Sequence, residues 1–120
     1  MMQTPTPLQW NIQQNDESVM VQLFGDLTRN TLLPLWKQRA SFLSPKPQQH
    51  IYWDLQSLSH IDSAGFTLLA ELLNHYQKQN ANCIINTPNS ILNLAELFDL
   101  DEWFSAFLYC ENQNNGTKTH

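Results

Sequence analysis

A chain of 120 residues is long enough to bury a core in one domain without a metal or disulfide staple, and it leaves room for little else. Its net charge of −5 sets 11 acids against six Lys plus Arg, and those six (Arg29, Lys37, Arg39, Lys46, Lys78, Lys118) are scattered, so neither nucleic acid nor anionic lipid finds an electrostatic footprint. Charged residues are 14% of the chain against about a quarter in ordinary globular proteins, while Asn and Gln are abundant; such a surface does not repel a protein partner, although a genomic amide bias gives the same composition.

In chain order, residues 1–7 read as a flexible lead-in without the basic and apolar stretches of a signal peptide. Residues 8–108 read as a single domain and 109–120 as a disordered tail. Apolar alternation predicts strands over 8–12 and 19–24 around the polar turn 14–17, a hairpin closed by Gly25-Asp26. Thr28 or Asn30 can cap a helix from 31 to about 42, in which Leu32, Leu35, Trp36, Arg39, Ala40 and Leu43 keep helical spacing around an early Pro34; Pro45-Lys-Pro47 stops it. A buried strand over 50–55, a helix from Ser63 to about 79, a strand over 82–85, a helix over 89–99 after Pro88 and a short closing helix at 102–108 follow. The order ββαβαβα predicts an α/β fold: a mixed four-stranded sheet with helices mainly on one face and the other face less covered. The longest apolar block, 66–73, is too short to span a bilayer, so no direct membrane insertion is expected.

The most informative stretch is 51–65, where a β-type run ending Ser-His-Ile-Asp-Ser-Ala-Gly leads straight into an apolar helix and puts the Ser63 hydroxyl at its start. A helix start has unpaired N–H groups and the positive end of the macrodipole, so this serine can be a cap, a phosphate-bearing switch or a docking point. At 100° per residue Gly65, Leu68, Leu69, Leu72, Leu73 and Tyr76 share the arc that faces the sheet. Ser63, Thr67, Ala70 and Asn74 share the outer arc, with Phe66 on the shoulder and Glu71 and Lys78 further round. The outer stripe is small, flat and uncharged. Next to an aromatic it has the character of a seat for another protein; ordinary amide-rich solvent surface is the plain alternative. Asp62 and Ser63 are also good N-cap residues, a role worth about 1 kcal/mol that needs no further function. A glycine in the first turn costs about 1 kcal/mol against alanine and marks a close approach at Gly65, by the sheet or by a partner.

Catalysis has little support. His60, Asp62 and Ser63 include the residue types of a triad, but no Gly-x-Ser-x-Gly elbow is present and near neighbours in sequence seldom converge on one reacting atom. His50, His60, His75 and His120 have no ligand spacing with acids, and three glycines make no phosphate loop, so no metal or cofactor is expected. Trp10, Trp36, Trp53 and Trp103 read as core or rim packing. Cys83 and Cys110 lack Cys-x-x-Cys spacing, which points away from a zinc ribbon or redox pair and fits a reduced cytoplasmic setting, with pairing of the two left open.

Three segments together resemble a STAS domain over about residues 8–104: Phe24-Gly-Asp-Leu-Thr-Arg-Asn-Thr-Leu-Leu-Pro-Leu-Trp36, Asp54-Leu-x-x-Leu-x-x-Ile-Asp-Ser-Ala-Gly65 and Leu94-Ala-Glu-Leu-Phe-Asp-Leu100. The run from Leu32 to Trp36 and the short, undecorated chain are most similar to the small cytoplasmic STAS subunits of phospholipid ABC transporters. That resemblance implies a non-catalytic domain that docks on the transporter's ATPase subunit, within a complex with a membrane permease, and is peripheral on the inner membrane. It places the docking site at the start of the helix, with Asp62, Ser63, Phe66, Thr67, Ala70 and Asn74 as the partner-binding set. It also implies an alternative, an anti-sigma-factor antagonist switched by phosphorylation of Ser63; those proteins typically carry Gly-Glu-Leu-Asp where this chain has Gly25-Asp26-Leu27-Thr28.

Overall fold

The computed structural model describes residues 6–108, so the lead-in and tail expected at the two ends fall almost wholly outside it. Strands β1 (Gln9–Gln14) and β2 (Ser18–Leu27) form the predicted antiparallel hairpin. Its turn is held by Asn15, whose side-chain oxygen accepts the N–H groups of Glu17 at 2.8 Å and Ser18 at 2.9 Å, the usual reason for an Asn at such a corner. Along β2 the period of two is clear: Val19, Val21 and Leu23 are buried, while Ser18, Met20, Gln22 and Phe24 face the other way.

β2 is the hub of the sheet. It pairs in parallel with β3 (His50–Asp54) and, at its far end, with a short strand β4 (Leu58–Ile61), and β3 pairs in parallel with β5 (Asn82–Ile85). The sheet is therefore mixed, in the order β1-β2-β3-β5, with β4 as a fifth strand beyond the four expected. Its origin is one of lengths: β2 has ten residues and β3 only five, so residues 25–27 of β2 extend past β3 and leave backbone groups that β4 satisfies. The register shifts between Gly25 and Asp26. Gly25 has φ +81°, and a Cβ there would overlap the carbonyl of Pro7, so only glycine fits this corner.

Helices α1 (Leu33–Lys37), α2 (Ser63–Tyr76) and α3 (Asn89–Leu97), with a closing helical segment at 101–108, pack over one face. Their Leu35, Leu69, Leu72, Ile91, Ala95 and Phe104 join Val21, Leu23, Ile51 and Trp53 in one core. The opposite face carries a row of polar side chains: Asn11 donates to Gln22, and Gln22 and Asn86 donate to the two carboxylate oxygens of Asp54. Cys83 is buried in β5, and Cys110, with which the sequence leaves pairing open, lies outside the described residues.

α1 is much shorter than the span 31–42 predicts, and neither Thr28 nor Asn30 caps it: its N-cap is Leu32, with no side-chain cap bond. Thr31 instead tightens the preceding turn, accepting from Thr28 N and donating to the carbonyl of Asp26. After Lys37 the chain turns through i to i−3 bonds, Gln38 to Leu35 and Ser41 to Gln38. The cause is tertiary. The Tyr76 hydroxyl accepts from Leu43 N at 2.8 Å and donates to the Arg39 carbonyl at 3.1 Å, while the Phe42 ring meets Trp10 edge-on at 5.4 Å, and this docking replaces continued helix.

Candidate functional site

Asp62 caps α2. Its Oδ1 accepts from Gly65 N at 2.8 Å, and its Oδ2 accepts from Arg29 N at 3.0 Å, so one carboxylate satisfies a helix-start donor and ties the α1 approach to it. Ser63 is thus the first helical residue and not the cap. Its side chain is exposed, and its carbonyl accepts from Thr67 Oγ1 at 2.9 Å. The close approach at Gly65 is by the sheet: a Cβ there would overlap the carbonyl oxygen of Leu27, whose strand ends directly under the helix. The conflict left open by the sequence resolves to packing.

The helical phase matches the sequence reading, with Gly65, Leu68, Leu69, Leu72, Leu73 and Tyr76 buried. Ser63, Thr67 and Asn74 are exposed and Ala70 is half-buried, all on the outer side. Phe66 is a correction: it is 1% exposed and cannot line a seat directly. Its ring is enclosed by Phe98, stacked at 5.7 Å and 9°, and by Phe104 at 5.8 Å. Rings from α3 and the closing segment fill the shoulder that the α2 period alone leaves at the surface.

What the sequence reading missed is the second wall of the stripe. Thr67, Ala70, Glu71 and Asn74 face Leu100 and Trp103 across an open groove of about 410 Å³. The small α2 side chains form one wall and the half-buried Trp103 the other. The signal that could have found it is Asp99-Leu-Asp-Glu-Trp103, an aromatic at helical spacing from Leu100 on a segment adjoining α2. His60 is not drawn toward Ser63; its Nδ1 lies 3.0 Å from Oδ1 of the buried Asp26, whose Oδ2 accepts from Thr6 N. The triad residue types therefore diverge, His60 onto Asp26 and Asp62 onto backbone amides.

The STAS domain family model matches residues 9–112. The chain belongs to the STAS domain family. It is 41% identical over 104 residues to the intermembrane phospholipid transport system binding protein MlaB of Haemophilus influenzae, over 84% of this chain and 99% of that protein. It is 32% identical over 79 residues to MlaB of Escherichia coli K12, over 65% of this chain and 77% of that protein. Among solved structures, an anti-sigma factor antagonist from Mycobacterium paratuberculosis superposes with a TM-score of 0.67 over 84% of this chain and 86% of its own, at 17% identity, a likeness of fold. Among the described residues no helix is long and apolar enough to cross a membrane.

Proposed function

We propose that this chain is a non-catalytic subunit of an Mla-type ABC transport system for phospholipids, docked on the system's cytoplasmic, MlaF-like ATPase subunit and supporting or regulating it beside a membrane permease. The 41% identity to MlaB, across nearly the whole of that protein, is the observation that carries the role. The outward stripe Ser63, Thr67, Ala70 and Asn74, walled by Leu100 and Trp103, supports the same reading: it has the small, uncharged character that lets a partner's apolar side chains approach closely. Attachment to the inner membrane is through these partners.

Co-purification with the cognate ATPase subunit tests the reading. Ala70→Arg introduces a charge into a groove that binding desolvates, and is expected to abolish capture while the thermal melt stays at the wild-type value. Ser63→Glu is expected to do the same, and Ser63→Ala to bind close to wild type, because the cap is Asp62. A folded Ala70→Arg chain that binds like wild type moves the site elsewhere. The exposed Ser63 hydroxyl favours one second reading, a phosphorylated anti-sigma-factor antagonist. Recovery of a kinase in place of the ATPase, with phosphate on Ser63, would establish it.

A further inference from the structure

We propose that the end of α3, Leu97 and Phe98, forms a second part of the docking surface: an apolar knob that enters a pocket on the same ATPase subunit, bordered there by basic side chains. The inference rests on the docking reading above. Leu97 is 76% exposed and Phe98 41%, two adjacent large apolar residues in water. The knob is held rigidly. Phe98 N donates to Leu94 O, Asp99 N to Glu96 O and Leu100 N to Ala95 O at 2.8 Å, with Asp99 in the left-handed region at φ 60°, the pattern of a closed helix C-terminus.

Position argues for a shared partner. Phe98 stacks on Phe66, which lies between the outward Ser63 and Thr67 on α2, and Leu100, two residues further on, lines the groove. Knob and groove are therefore two sides of one turn, and a surface that covers the groove meets the knob.

Charge gives the partner's chemistry. Glu96, Asp99, Asp101 and Glu102 are exposed around the knob, and the sequence has no Lys or Arg from 79 to 117. Among the described residues the ion pairs are Arg39–Glu71 and His60–Asp26, so none of these four acids is in an ion pair there. A second copy of the chain would bring one acidic rim against another, an arrangement that like charge disfavours. A basic rim around an apolar pocket is the complementary surface.

The experiment is titration calorimetry of the full chain against the purified cognate ATPase subunit at several salt concentrations, with thermal melts as folding controls. Leu97→Asp, at a position open to water, is expected to melt like wild type and to bind about tenfold or more weakly. The double variant Glu96→Gln/Glu102→Gln is expected to bind more weakly at low salt and to lose part of the salt dependence. If Leu97→Asp binds like wild type while Ala70→Arg does not, the knob is overturned and the docking reading stands. If Leu97→Asp loses binding while Ala70→Arg keeps it, the knob stands and the groove falls. Failure of the wild-type chain to bind overturns both. Unchanged ATPase binding by Leu97→Asp together with loss of self-association in sedimentation would assign the knob to a second copy and overturn the proposal.

Discussion

Gly65 and Asp62 show how two neighbouring residues fix the start of α2 by different physics. Asp62 supplies an acceptor for backbone donors, and its replacement by Ala is expected to cost about 1 kcal/mol or somewhat more, because Arg29 N loses its acceptor as well as Gly65 N. Gly65 supplies absence. Alanine there gains about 1 kcal/mol of helix propensity but drives a methyl into the Leu27 carbonyl, an overpacking cost of about 1–3 kcal/mol. The second effect is expected to win, since a strand backbone cannot step aside as a flexible side chain can, and urea midpoints check the sign. Both residues were visible in the sequence as an anomaly at a helix start. Only the Leu27 carbonyl showed that the glycine answers to the sheet.

At the scale of the element, α2 was legible and α1 was not, for one reason. The α2 period coincides with its burial, so Leu69→Ala is expected to cost roughly 2–5 kcal/mol while Thr67→Ala costs little, a ranking that denaturant midpoints read directly. For α1 the local period and the tertiary contacts disagree, and the contacts prevail: Tyr76 holds the backbone at Arg39 and Leu43 where the spacing alone continues a helix. Tyr76→Phe leaves a buried Leu43 N–H without its acceptor, at an expected cost of about 1–3 kcal/mol. Burial pushes the Tyr76 phenol above its ordinary value, partly offset by the backbone hydrogen bond from Leu43. The neutral form is therefore the one that the fold favours: the contribution is present below the unfolded value of about 10 and is lost as pH rises through the higher folded value. Phenolate absorbance is expected to show a late component that Tyr76→Phe removes. Phe66 was misplaced on the same principle as α1, because an element's own period says nothing about the rings that its neighbours bring to its shoulder.

For the whole molecule, the α/β order, the mixed sheet and the helices on one face follow from the alternation of periods along the chain, and β4 escaped because a strand that exists to complete the overhang of β2 has no strong pattern of its own. The groove escaped because Leu100 and Trp103 reach α2 only through the fold. The hub position of β2 also sets an order in time. β1 reaches it across the short turn at 15–17, whereas β3 and β4 reach it only after the chain has passed through α1 and the loop beyond it, closures that cost about 2 kcal/mol more chain entropy before any contact forms. The hairpin is then expected to form early and the closing segment at 101–108 to dock late. In stopped-flow chevrons Asn15→Ala is expected to slow refolding with little change in unfolding, and Phe104→Ala to speed unfolding with little change in refolding. On that expectation one wall of the groove belongs to the part of the chain that docks late, and the proposed partner surface is completed only when folding is finished.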